Sequence, residues 1–102
     1  MPWFIKTEQF NDETVKLSHE SRKEFLDEHR SWVIELNNKG IKASSGYLVD
    51  KNHLPGGGGL LILETCSFAE AKSIIEQDPM IVAGLVTWVL QEWVPVFGQP
   101  MI

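Results

Sequence analysis

The sequence predicts an α+β domain with two helices on one face of a four-stranded antiparallel sheet, on three observations. Strand-like and helix-like segments alternate in the order βαββαβ, the split βαβ pattern that builds a ferredoxin-like layer. Apolar residues recur at three- and four-residue steps from about Ser21 to Lys39 and again from Phe68 to Ile75, as they do on one face of a helix. The segments before, between and after these two are short, apolar or alternating, and bounded by Gly, Pro, Asn or Ser.

Each element has a local reason. Trp3 to Thr7 alternates large and polar residues and is expected to be the first strand, with Phe10 to Leu17 an irregular connection. In the first helix, Phe25, His29, Trp32, Val33 and Leu36 share a face, and Gly40 stands where a helix end favours a left-handed residue. Ile41 to Val49 is expected to be the second strand, weakened at Ser44, Ser45 and Gly46, where the glycine suggests a bulge or a close backbone approach. Asp50 to Gly58 is a turn dense in Asn, Pro and Gly, and Leu60 to Glu64 the third strand. Ser67 and Glu70 form a capping box for the second helix, which Pro79 ends. Met80 to Gly84 allows one further helical turn, Leu85 to Val94 is the fourth strand, and residues 95–102 form a tail.

The chain of 102 residues is expected to be one domain, residues 1–102. Nine basic against fourteen acidic residues give a net charge of −5 with no basic stripe, which argues against nucleic acid as a partner. Cys66 is the lone cysteine, so no intrachain disulfide forms, and a reducing, cytoplasmic setting is expected. The first ten residues lack the basic-then-apolar pattern of a signal peptide, and no apolar run approaches a membrane span, so no membrane partner is expected.

Two strands are apolar on both faces. "LLILE" does not alternate, and the fourth strand sets Val86, Trp88 and Leu90 on one side and Val89 and Trp93 on the other. A two-layer protein with one wet sheet face should alternate more cleanly. A homodimer closed through sheet faces is therefore expected, the alternative being a cover supplied by the C-terminal tail.

Few residues carry a chemical signal. His29 lies on the apolar face of the first helix. By itself it reads as a buried histidine satisfied by a neighbour, or as a general acid/base, since its ordinary pKa suits proton transfer at neutral pH. Asp78 reads either as a helix-ending Asp-Pro turn or as a carboxylate that orients His29, since both helices belong on the same sheet face. Ser45 and Tyr47 are candidate polar contacts to a ligand, and Trp32 and Trp88 candidate pocket walls. No His/Cys/Asp/Glu spacing suggests a metal, and no cofactor is expected. "PGGGG" lacks the Lys-Ser/Thr of a phosphate loop and leads into a strand, so it reads as a flexible hairpin connection.

The stretches "EHRSWVIELNNKGIKASSGYLVD", "GGGGLLILETCSFAEA" and above all "DPMIVAGL" resemble the YCII-related (YciI-like) family of the dimeric α/β-barrel group, over nearly the whole chain. The resemblance implies a ferredoxin-like fold, dimerisation through sheet faces, and a pocket in which His29 and Asp78 correspond to the family's proposed catalytic pair. The chain departs from the family pattern at Leu26, where an arginine is common, at Gly46-Tyr47, where Gly-Pro is common, and at Met80, where Phe is common. These departures bear on the substrate more than on the fold. The expected function is cofactor-independent proton transfer of lyase or isomerase type on a small cyclic or carbonyl-bearing metabolite. The alternative is a small-molecule-binding or sensor module without turnover, since fold alone does not decide between them.

Overall fold

The computed structural model describes residues 1–98. Its elements are β1 (Trp3–Phe10), α1 (Asp12–Val15), α2 (His19–Asn38), β2 (Ala43–Val49), β3 (Pro55–Glu64), α3 (Phe68–Ile75), α4 (Pro79–Val82) and β4 (Val86–Trp93). The strands form one antiparallel sheet in the order β2-β3-β1-β4, and α2 and α3 pack on one face of it. This is the ferredoxin-like α+β arrangement that the segment order predicts. Two one-turn helices, α1 and α4, add to the two long ones.

β1 runs through the centre of the sheet, and its alternation sets the interior. Phe4, Lys6, Glu8 and Phe10 face the helices, whereas Trp3, Ile5, Thr7 and Gln9 face the other way. Phe4 pairs with Leu63 and Lys6 with Leu61 on β3, which carries their side chains into the same layer. There Phe4, Leu61 and Leu63 meet Trp32 and Leu36 from α2 and Ala71 and Ile75 from α3, all buried. A second, smaller cluster of Met80, Leu85 and Val86 lies under α4.

Helix ends follow the residues available. Ser18 caps α2 by accepting from the Ser21 N–H, and Ser67 caps α3 by accepting from the Glu70 N–H. The reciprocal half of the expected capping box is not made. The Glu70 carboxylate accepts from the Cys66 thiol instead. Gly40 has φ +88°, the left-handed conformation expected after α2.

Several boundaries differ from the sequence expectation. The connection after β1 contains the helical turn α1, capped by Asn11. The glycine run is part of β3, not a flexible connection. The tight turn is Asp50–Leu54, where Asp50 Oδ1 accepts from the Asn52 and Leu54 N–H groups. The irregularity of β2 lies between Tyr47 and Val49, one to two residues beyond Gly46. The second face of the sheet exposes or half-exposes Trp3, Ile5, Leu60, Ile62, Val89 and Trp93. Tail residues Val94, Val96 and Phe97 are themselves exposed, and residues 99–102 of the expected tail lie outside the described residues.

Candidate functional site

The site is built around Asp78. The carboxylate is fully buried between α3 and α4, where Pro79 begins α4 and Asp78 serves as its N-cap. Oδ1 accepts from the Met80 N–H at 3.0 Å and stands 2.8 Å from His29 Nδ1. Oδ2 accepts from Lys6 Nζ at 2.9 Å. A buried carboxylate needs such partners, because the desolvation of an unpaired charge costs several kcal/mol (about 3–5 when one partner of a buried pair is removed). Burial by itself raises the Asp78 pKa. The hydrogen bond from His29 and the charge of Lys6 outweigh it, and the carboxyl stays below its ordinary value.

Because the ionised Asp78 only accepts, the proton on the His29 ring belongs on Nδ1. Nε2 is then the acceptor of the neutral ring, and the Ser45 hydroxyl donates to it at 2.8 Å. The ring is held at both nitrogens, by a buried carboxylate on one side and a strand hydroxyl on the other. Asn37 near the end of α2 fixes that geometry. Its side chain donates to the Ala43 carbonyl and accepts from the Ala43 N–H, so β2 starts in register with the helix that carries His29. Ser45 follows two residues later on the same face of the strand.

Lys6 is fully buried and spans two carboxylates, Asp78 at 2.9 Å and Glu8 at 2.8 Å. Both Lys6 and Glu8 were absent from the sequence reading. The usable signal was the period-two series Phe4-Lys6-Glu8-Phe10, whose aromatic ends mark an inward face. A lysine enclosed there requires an acid, and Asp78 is the one it meets.

A cleft of about 240 Å³ opens between α2 and the sheet beside this cluster. Leu26, His29, Arg30 and Val33 border it from α2, at helical three- and four-residue spacing. Glu8, Ser45, Tyr47 and Gly59 border it from the sheet, and Met80 from α4. The structure thus brings His29, Asp78 and Ser45 together and sets Tyr47 at the rim. Trp32 and Trp88 are not cleft walls. Trp32 is buried in the main core, with its ring centroid 5.7 Å from that of His29, and Trp88 is half-buried and packs between the two apolar clusters. Their large apolar surfaces are better satisfied inside than at a rim. Among the described residues no cluster of three His, Cys, Asp or Glu is placed to hold a metal, and no helix is long and apolar enough to cross a membrane.

The pattern of the YCII-related domain matches residues 3–92. No curated protein matches in sequence. Among solved structures, the chain is similar to the 5-chloro-2-hydroxyhydroquinone dehydrochlorinase of Burkholderia phenoliruptrix AC1100, in complex with 2,5-dihydroxybenzoquinone. The TM-score is 0.66 at 22% identity, covering 90% of this chain and 93% of that one. It is also similar to a protein of Arabidopsis thaliana, at TM-score 0.56 and 15% identity over 98% of this chain and 100% of that one. The de novo designed protein Ferredog-Diesel matches at TM-score 0.58 and 14% identity, over 89% and 84% of the two chains. At these identities the structural likenesses establish the fold, and the domain match over nearly the whole chain establishes the rest: this chain belongs to the YCII-related family.

Proposed function

We propose that the protein is a cofactor-independent acid/base enzyme that moves a proton on a small cyclic or carbonyl-bearing metabolite, by a lyase- or isomerase-type reaction. The observation that carries this reading is His29, held at Nδ1 by buried Asp78 and presenting Nε2 to Ser45 at the edge of an apolar-walled cleft. A substrate that displaces the Ser45 hydroxyl from Nε2 offers its own acidic hydrogen there. Nε2 takes that proton, and Asp78 stabilises the imidazolium without being protonated itself. The charges of the cluster favour this step. Lys6 offsets one of the two carboxylates, Glu8 and Asp78, and a protonated His29 offsets the other. Return of the proton to another atom completes an isomerisation, and loss of a leaving group from the anion completes an elimination.

The dehydrochlorinase of the same fold, solved with a quinone, supports a small ring compound as substrate. The half-exposed apolar face of the sheet supports a homodimer closed through that face, and the exposed, unbridged Cys66 fits a reducing compartment such as the cytoplasm.

The test is solvent deuterium exchange at carbon. Small ketones and cyclic diketones are incubated with the protein in D₂O and followed by proton NMR, which detects proton removal whatever the final product. Exchange with at least one compound is expected, and His29→Ala should lower its rate by about 10²–10⁴-fold, the usual worth of a general base. Asp78→Asn should lower it as well. Exchange that is absent across the panel, or indifferent to His29→Ala, would sink the enzymatic reading and leave a binding or sensor module.

A further inference from the structure

We infer that Glu8 is a specificity-determining residue of the cleft, which accepts a hydrogen bond from a hydroxyl or N–H group of an uncharged ligand. The inference deepens the proposed function, since it rests on the same cleft being the ligand site.

The Glu8 side chain is only 9% exposed and borders the cleft from β1. Its two oxygens are treated differently. Oε1 accepts from Lys6 Nζ at 2.8 Å, whereas Oε2 is buried and meets no donor among the described residues. A carboxylate oxygen withdrawn from solvent without a donor is costly. Glu8 is not needed to hold Lys6 in place, because Asp78 is already a buried partner for the ammonium. The spare acceptor therefore asks for a donor from the cleft side. The terminal torsion of glutamate is soft, so a modest turn of the carboxylate plane brings Oε2 to a group seated beside His29.

The strand opposite makes room for this side chain. Gly59 pairs with Glu8 across the β1–β3 ladder, and a Cβ built on Gly59 would lie 3.1 Å from Glu8 Cγ and 3.2 Å from Oε1. Any larger residue there would press on the carboxylate. Glycine inside a strand commonly marks such a close approach, which gives part of the "PGGGG" run a function. On the other side of Glu8 in the sheet stands Trp88.

These features define the ligand chemistry. The cleft volume of about 240 Å³ suits a single small ring, and Phe10, Val33 and Met80 provide apolar wall. Arg30 borders the cleft from α2 and offsets the negative charge of the Lys6, Glu8 and Asp78 cluster, so the choice of ligand rests on the open oxygen itself: a neutral donor gives Oε2 the proton it lacks, whereas an anionic group brings like charge beside Glu8 and no proton.

The experiment uses phenol, anisole and benzoate as probes, titrated into the full chain and followed by the backbone amides of Gly46 and Gly59 in ¹H–¹⁵N NMR. Phenol and anisole share a ring, and only phenol donates. Phenol should bind about 10- to 100-fold more tightly than anisole, the worth of a hydrogen bond to a charged group, and benzoate should bind more weakly than phenol. In Glu8→Gln the amide oxygen can keep Lys6 while the NH₂ takes the place of Oε2, so the phenol preference should vanish or invert. Gly59→Ala, which displaces the carboxylate while leaving its charge, should reduce the preference and serves as the test if Glu8→Gln does not fold. Equal binding of phenol and anisole overturns the proposal. So does a preference unchanged in the variants, tighter binding of benzoate, or no cleft response to phenol at millimolar concentration. His29→Ala should retain the preference. Retention of the preference with no deuterium exchange by the wild type would remove the proton-transfer reading and leave the role of Glu8 standing.

Discussion

The inward face of β1 crosses two unlike environments within four residues. At Phe4 the strand joins the main apolar cluster with Leu63, Ala71 and Ile75. At Lys6 and Glu8 the same face of the same strand enters a polar cluster with Asp78 and His29. Both ends are buried to a similar degree, since Phe4, Lys6 and Asp78 are all fully enclosed. Burial at the first end is favourable in itself, at roughly 25 cal/mol per Å² of apolar surface. At the second end it is unfavourable for each charge taken alone and is tolerated because the charges meet one another. The fold gains little net stability from such a cluster. What the arrangement provides is a histidine ring held in one orientation at the edge of a cleft.

That contrast can be broken from either side. The largest effect is expected at the polar end. Lys6→Met leaves Asp78 without its cation and should cost about 3–5 kcal/mol of stability in urea unfolding. Glu8 loses the same cation, and adding Asp78→Asn removes one of the two stranded charges, so the double variant should lose less than the sum of the two single losses. Strict additivity would show that Lys6 acts through packing alone. At the dry end, Leu63→Ala should cost about 2–5 kcal/mol through the cavity it leaves. Its deuterium-exchange rate per folded molecule should stay close to wild type, because Leu63 does not border the cleft. A large rate loss in a folded Leu63→Ala protein would mean that the two ends are coupled.

The dry end was legible in the sequence and the polar end only in part. Trp32 and Leu36 on α2, and Ala71 and Ile75 on α3, follow helical periods and are buried, with Phe25 and Val33 half-buried on the same face, because apolar burial is non-directional and follows pattern. His29 and Asp78 were visible as residue types, but 49 positions separate them, and their 2.8 Å contact depends on how α2 and α4 sit on the sheet. No local period encodes that distance. Lys6 and Glu8 were hidden by a rule that usually holds, since charged residues in an alternating strand normally face water. The glycine run misled for a related reason. Gly58 and Gly59 read as flexibility, yet they are paired strand residues whose missing side chains make space for Gln9 and Glu8. Trp32 and Trp88, candidate pocket walls in the sequence, pack with the apolar clusters instead, because their large apolar surfaces are better satisfied there.

A smaller effect, and a sharper test of the polar end, is expected from acid. The Asp78 pKa is lowered in the folded protein by His29 and Lys6, against the opposing effect of burial. The group therefore contributes stability that is fully present above its unfolded value of about 3.9 and is lost as pH falls from there through the lower folded value. In that window the Asp78 contribution should fall by up to about 1.4 kcal/mol per pH unit, the value for one proton. Asp78→Asn removes this part of the dependence, and the difference between the two urea-unfolding series isolates it. Series that stay parallel from pH 5 to pH 2 would contradict a depressed Asp78 pKa.

The smallest stability effect and the finest distinction are expected at Ser45. It is exposed on β2, an edge strand, and its known contact at the site is the hydrogen bond to His29 Nε2. Ser45→Ala should lower stability by about 1 kcal/mol or less, the net worth of an ordinary hydrogen bond, and Tm by only a few degrees. Its effect on exchange should be intermediate. The ring loses its second anchor but keeps Asp78, so a rate loss of about tenfold is expected, corresponding to about 1.4 kcal/mol at the barrier. That lies well below the 10²–10⁴-fold expected of His29→Ala. The pairing Ser45–His29–Asp78, with both contacts at 2.8 Å, also has the order of groups that activates a serine nucleophile, so the size of the loss discriminates between roles. A tenfold loss assigns Ser45 to holding the ring, whereas a loss equal to that of His29→Ala would mean that the hydroxyl itself reacts.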